Sequence, residues 1–310
     1  MISLSCGNFY FTLRSLRSVP AAVKQERERT KNMKLKNLLA TALVGVMMLG
    51  ASLGVCAKEY PVSYVQGSSQ ATNNAVDVTV TVEGINIPYT EIPVSLGAKT
   101  SGNQVVRDAM LEINDEGTSV FFLKSKDSYD FIASDTTYFE RIIDGEGNDD
   151  IGNGTGYSGW CFRINGGTPM ESEGWGASIA TATITDGDVI SFYLDNPIAE
   201  SSAARFTRMN NVSYSNGVVS ATVLESHQYF GPAPDYAWTI TPFAAVSGAT
   251  VKVYNAAGTE VGTGTTSSVG VALINVNTLA SGTYTVKVLG THDSLFNITL
   301  TSVAKTFVVE

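Results

Sequence analysis

The run Gly159-Trp160-Cys161-Phe162-Arg163-Ile164-Asn165-Gly166-Gly167 constrains this chain more than any other. Large apolar and polar residues alternate along it, the two-residue period of a strand with one buried face. Asn-Gly then closes it, the pair that most readily supplies the two positive φ angles of a tight hairpin turn. Further on, Thr185-Asp186-Gly187-Asp188 forms a turn and feeds a second alternating strand, Val189 to Leu194. Residues 76–198 read as one small domain built around this pair.

Other segments fill in that domain. Val76 to Gly84 alternates cleanly, and a strand interrupted by Pro93 follows over Tyr89 to Leu96, the pattern of a sheet edge. Thr100-Ser101-Gly102-Asn103 is placed to cap a helix carrying Val105, Val106, Ala109, Met110 and Ile113, with its end near Asp115-Glu116-Gly117. Short strands are expected at Ser119 to Leu123 and Tyr129 to Ile132, before a loop from Asp144 to Gly159. Strands with one helix across them define an α+β domain. Residues 58–75 are polar and read as a linker, as do residues 199–209. From 210 to 310, short alternating runs are separated by turn residues, notably Gly217 to Leu224, Thr250 to Tyr254, Ser268 to Ile274 and Thr283 to Leu289. That spacing predicts an all-β sandwich.

The Val78-Thr79-Val80-Thr81-Val82-Glu83-Gly84 opening, the helix, Ile142-Ile143-Asp144-Gly145, Gly159-Trp160 through Asn165-Gly166 and Asp186-Gly187-Asp188 resemble the transcobalamin-like C-terminal domain family. The resemblance covers roughly residues 76–196. It implies a β-grasp-like fold and an exported protein of a Gram-positive bacterium. It also implies cobalamin or another corrinoid as a candidate ligand, although the helical barrel that covers the second corrin face in the vertebrate carriers is missing from this sequence. Gly248 to Tyr254 and Gly282 to Val288 resemble the Ig-like, carboxypeptidase-regulatory modules of bacterial surface proteins.

At the N-terminus, Lys34-Leu35-Lys36-Asn37, the apolar run Leu38 to Gly54 and Val55-Cys56-Ala57 have the order of a secretory signal peptide, so 33–57 is expected to be removed after Ala57. Residues 1–32 read as a mis-assigned extension upstream of a true start at Met33. Leu53-Gly54-Val55-Cys56 resembles a lipobox, with Val55 where a small residue belongs, which leaves a lipid anchor at Cys56 as the alternative. Cleavage after Ala57 leaves Cys161 alone and excludes an internal disulfide; it reads as a small buried apolar residue. Residues 58–310 hold 12 Lys and Arg against 27 Asp and Glu, a net charge of −15. Such a surface argues against nucleic acid and anionic membranes as partners.

Candidate binding residues follow from exposure and chemistry. Trp175, set between Gly174 and Gly176, either offers its indole face to a small molecule, glycan or corrinoid or folds back onto the sheet. Tyr157 is a candidate at the same rim. Asp144, Glu146, Asn148 and Asp150 carry oxygen ligands suited to calcium. The run lacks the glutamate that closes an EF-hand loop, and it reads first as a solvated acidic turn. No zinc-protease helix, Gly-x-Ser-x-Gly elbow or phosphate loop is present, and His227 and His292 stand apart from any motif. The chain is therefore read as a non-enzymatic, secreted or cell-surface ligand-binding protein, with a structural or adhesive surface protein as the alternative. Lys252 and Asn297 have the residue types of a Lys–Asn isopeptide cross-link, but the catalytic acid is not evident and no bond is expected.

Overall fold

The computed structural model describes residues 61–66, 71–115, 121–124, 141–144, 148–151, 159–171, 176–230, 238–293 and 297–310. The expected extension, signal peptide and Tyr129 to Ile132 strand lie outside them. In the first half the elements are β1 (Ser63–Val65), β2 (Val76–Glu83), β3 (Thr90–Leu96), α1 (Val106–Asp115), β4 (Phe121–Lys124), β5 (Arg141–Asp144), β6 (Asp149–Ile151), β7 (Gly159–Ile164), β8 (Thr168–Met170) and β9 (Val189–Asp195).

β3, β2, β9 and β7 form a four-stranded sheet in that order. β2 runs antiparallel to β3 and parallel to β9, and β9 runs antiparallel to β7. Pro93 sits on the outer strand, where its missing N–H costs no ladder bond. Val76, Val78, Val80 and Val82 point to one face with Ile190, Phe192 and Trp160, and Val106, Ala109, Met110 and Ile113 of α1 share their core. Each such buried aliphatic side chain contributes roughly 1.5–3 kcal/mol of transfer free energy.

The helix begins later than the Thr100 to Asn103 cap predicts. Asp108, in the first turn, reaches back to the Val105 N–H at 2.8 Å and also takes the Lys99 ammonium at 2.8 Å. The next two N–H groups, of Val106 and Arg107, donate to the Ala182 and Ile179 carbonyls at 3.0 and 2.9 Å. Tertiary contacts thus satisfy the helix start, which a local cap search does not see.

The two organising motifs are bolted together. Asn165 and Gly166 have φ of 51° and 81°, as the Asn-Gly turn requires. The Asn165 side chain accepts the Val189 N–H at 2.9 Å and donates to Asp188 at 2.8 Å. Asp188 in turn accepts the Thr185 N–H at 2.7 Å, while Asp186 accepts the Asp77 N–H at 2.9 Å. The strand after the Asn-Gly turn, β8, leaves β7 and pairs in parallel with β1. Ser63 to Val65, inside the expected linker 58–75, is therefore an edge strand; main-chain pairing needs no apolar alternation.

The second half holds β10 (Phe206–Ser215), β11 (Val218–Ser226), β12 (Gln228–Phe230), β13 (Trp238–Ile240), β14 (Ala244–Ala245), β15 (Thr250–Asn255), β16 (Glu260–Thr265), β17 (Val271–Asn275), β18 (Gly282–Val288), β19 (Thr291–His292), β20 (Ile298–Leu300) and β21 (Val303–Val309). β11 pairs with β10 on one side and with β14 and β17 on the other; β16, β15, β18 and β21 form a second sheet. Val219, Ala221 and Val223 of the first sheet share a core with Val251, Val253, Val286 and Val288 of the second. β10, the longest strand, starts inside the expected linker 199–209 and carries a bulge between Asn210 and Ser213, with Asn211 at φ 51°. Its polar, bulged sequence hides it from a period-two reading. Lys252 is paired with Glu260 at 2.8 Å, and Asn297 donates to Asp293 at 3.0 Å.

Lys58–Glu310 forms one compact unit. Phe206, Ala204 and Ile298 of the second half belong to the core of the first. Glu83 at the end of β2 accepts the Ser302 N–H at 2.6 Å and its hydroxyl at 2.7 Å. Lys287 lies 4.7 Å from the centre of the Tyr89 ring. The mixed sheet is thereby covered on both faces, by α1 on one and by the second half on the other. Among the described residues no helix is long and apolar enough to cross a membrane.

Candidate functional site

Three of the residues singled out from the sequence, Trp175, Tyr157 and Glu146, lie outside the described residues. Met170 and Gly176 form a bridge, with Gly176 exposed, on either side of the segment that contains Trp175. Asp144 lies in β5, paired with Phe121 of β4. Asn148 precedes β6 and is partly buried.

Asp150 is 4% exposed, and its carboxylate is spent on a turn. It accepts the Asn86 N–H at 2.8 Å, the Asn86 amide at 2.8 Å and the Ile87 N–H at 2.9 Å. Its own carbonyl takes the Trp160 indole N–H at 3.3 Å. A Cβ on Gly84 would fall 2.0 Å from Asp150 Oδ2, so this approach demands glycine. These bonds make Asp150 a structural clasp between β6 and the turn after β2, in place of the solvated or calcium-ligating side chain expected. Among the described residues no three His, Cys, Asp or Glu side chains are grouped to hold a metal ion.

The densest polar chemistry lies instead where the two halves meet. Alternation along β7 and β9 puts Cys161, Arg163, Tyr193 and Asp195 on the face away from α1, with Cys161 directly opposite Tyr193 and Gly159 opposite Asp195. Arg163 is wholly buried. Its guanidinium donates to the Tyr193 hydroxyl at 3.2 Å, the Gly166 carbonyl at 3.3 Å and the Ser226 hydroxyl at 3.1 Å. Its Cζ lies 4.9 Å from the centre of the Phe206 ring, which packs in turn on Tyr193 at 5.4 Å. Buried charge is tolerated only when paired and hydrogen-bonded in this way.

Asp195, 2% exposed, accepts the Ala204 N–H through Oδ1 at 2.7 Å. Its Oδ2 has no hydrogen-bond partner among the described residues, nor does Nη2 of Arg163. Burial lifts the Asp195 carboxyl to about 7, against the opposing pull of the Ala204 N–H and the Arg163 charge. Cys161 is half-buried rather than the fully buried apolar residue expected; desolvation raises its thiol above the ordinary value, and the Asp195 charge adds to this. Gln228 is buried, and its Oε1 accepts the Thr168 hydroxyl at 3.3 Å. Trp160 is core, as its alternation predicts.

The sequence carried one signal of this cluster. Tyr193 and Arg163 are too large and too regularly placed with Cys161 for a face that only meets water, yet their polarity makes that face look solvated.

Comparison with protein-family models gives no match, and comparison with curated proteins gives none. Among solved structures the chain is similar to one described as "Biofilm associated protein - BSP domain", with 14% identity over 80% of this chain and 53% of that one, and a TM-score of 0.21. The chain spans about half the length of that structure. At that score the likeness carries no argument about fold or function.

Proposed function

We propose that the chain is an exported, non-enzymatic cell-surface protein in which a transcobalamin-like, β-grasp domain and an Ig-like sandwich act as one stiff structural or adhesive element. The observation that carries this reading is the join. Arg163 and Glu83 are buried and bonded to Ser226 and Ser302 of the second half, and Tyr193 packs on its Phe206 ring, so a hinge between the halves would strand a charge and open apolar surface. The β-grasp assignment is supported by the strand order β3-β2-β9-β7, with the parallel β2–β9 pair at its centre and α1 across one face. Export is supported by the signal-like segment and the acidic balance of residues 58–310.

Single-tryptophan variants retaining only Trp160 or only Trp238 test the stiff-unit reading in urea. Coincident midpoints are expected; two separated transitions overturn it. Labelling of intact producing cells with an impermeant reagent tests the location, and protein found unlabelled inside them refutes it.

The exposure of Gly176, next to Trp175 in the sequence, favours a second reading, capture of a small molecule, glycan or corrinoid through Trp175. Titrations with cobalamin, calcium and a glycan set, against a Trp175→Ala control, test it by tryptophan fluorescence. A flat response from folded protein rejects it.

A further inference from the structure

The strand face that turns Gln228 toward Thr168 of the first half runs out into solvent one pair further along the β12–β13 hairpin. There Phe230 and Trp238 stand directly opposite each other, their ring centres 3.9 Å apart. They are 36% and 37% exposed, although rings this large are usually drawn into a core. The Pro197 carbonyl accepts the Phe230 N–H at 2.8 Å, which sets the turn after β9 beside the rings, with Ile198 49% exposed. Glu200, on the same turn, has its side chain 61% exposed and Oε1 3.5 Å from His227 Nε2. The neighbouring Glu225 is engaged by Arg205 at 2.6 Å, so Glu200 is the carboxylate open to solvent.

We propose that this corner docks a cationic polypeptide segment. An arginine or lysine of that segment lies across the Phe230–Trp238 pair, with its charge toward Glu200 and its methylene stem on Ile198. The proposal rests on the reading of the chain as an adhesive element and gives that element a partner of defined chemistry.

Three observations choose this occupant. Rings in this molecule are repeatedly matched with cations: Arg163 lies 4.9 Å from the centre of Phe206, Arg208 4.1 Å from Phe243 and Lys287 4.7 Å from Tyr89. Among the described residues no cation covers Phe230 or Trp238, although both rings are open to solvent. Charge points the same way. Residues 58–198, whose end lies beside the rings, carry 7 Lys and Arg against 21 Asp and Glu, a balance that gathers cations and repels an acidic partner. Size decides the rest. Three part-exposed side chains fall well short of the about 800 Å² per side buried between stably associated folded proteins, so an extended segment fits where a folded face does not. Arginine suits the site better than lysine, because its planar guanidinium stacks on a ring while its edge reaches a carboxylate.

The test is fluorescence anisotropy of fluorescein-labelled hexa-arginine titrated with the full chain at low and high salt. Saturable binding that weakens with salt is expected. Trp238→Ala, which leaves every charge in place, should weaken it by about fivefold or more, and Glu200→Gln should weaken it at low salt. Trp238→Phe keeps a ring and should restore most of the affinity, which separates loss of the platform from loss of the fold. Hexa-arginine bound equally by the parent and Trp238→Ala overturns the proposal, because the peptide then adheres to the acidic surface at large. No saturable binding overturns it as well. So does binding of neutral chitohexaose in place of the peptide, lost in Trp238→Ala, which makes the rings a sugar platform. Coincident urea midpoints alongside any of these failures leave the stiff unit standing and remove only this docking site.

Discussion

Replacing Asp195 by Asn changes how stability depends on pH. Asp195 is 2% exposed, its carboxyl is raised to about 7 against 3.8 for the free group, and Oδ1 holds the Ala204 N–H. Below about pH 4 folded and unfolded chains both keep the proton. Between about pH 4 and 7 the folded chain still holds a proton that the unfolded chain has released, so stability falls as pH rises; above about 7 the loss is complete. At about 1.4 kcal/mol per pH unit, the interval from 3.8 to about 7 amounts to about 4 kcal/mol. Asn keeps the acceptor for Ala204 and never ionises. The variant should match the parent at pH 4 and exceed it by up to that amount at pH 8. Urea unfolding at several pH values, followed by tryptophan fluorescence, measures the difference. Parallel pH profiles for the two chains would refute the assignment of a desolvated carboxyl at 195.

Two further substitutions test how the fold is fastened. Asn165→Gly keeps the positive φ of 51° but removes the bonds to Val189 and Asp188, and should cost about 1–2 kcal/mol in denaturant unfolding. Asn165→Ala should cost more, because alanine also resists that φ; equal effects of the two would show that the backbone angle is irrelevant there. Gly262→Ala puts a methyl 2.5 Å from Val276 Cγ1 and 2.9 Å from Ile274 Cγ2, and overpacking should cost about 1–3 kcal/mol. A Val276→Ala partner should recover part of that loss in a double-mutant cycle, and additive losses would disprove the clash.

What was legible in the sequence was whatever obeys a local rule. Alternation located β2, β7, β9, β11, β15 and β18, and Asn165-Gly166 announced its own dihedral angles. What stayed hidden was held by distant partners. The helix start depends on the Ala182 and Ile179 carbonyls, far along the chain, so Thr100 to Asn103 offered a better local cap than the one used. Asp150 read as part of a solvated acidic turn, with calcium ligation the alternative, because acids cluster around it, whereas its bonds go to the Asn86–Ile87 turn, which no spacing rule connects to it. β16 was missed because Gly262 and Gly264 interrupt its pattern, although they are what lets the strand approach Ile274 and Val276.

The same physics explains why the face where the two halves meet was not visible in the sequence. Thr81, Glu83, Arg163 and Asp195 sit at the strand positions that a solvated sheet face would occupy, and all four are polar. Each is nevertheless buried: Thr81 and Glu83 are both 6% exposed, Asp195 is 2% and Arg163 is 0%. Polar residues can line an interface when their partners lie across it, as Ser302 does for Glu83 and Ser226 for Arg163. A pattern of apolar and polar letters cannot distinguish such a face from one in water. Cutting the chain between the halves would therefore do more than separate two beads. It would leave Arg163 without Ser226, Glu83 without Ser302, and Tyr193 without the Phe206 ring that covers it, so neither half retains the surface its own sequence suggests.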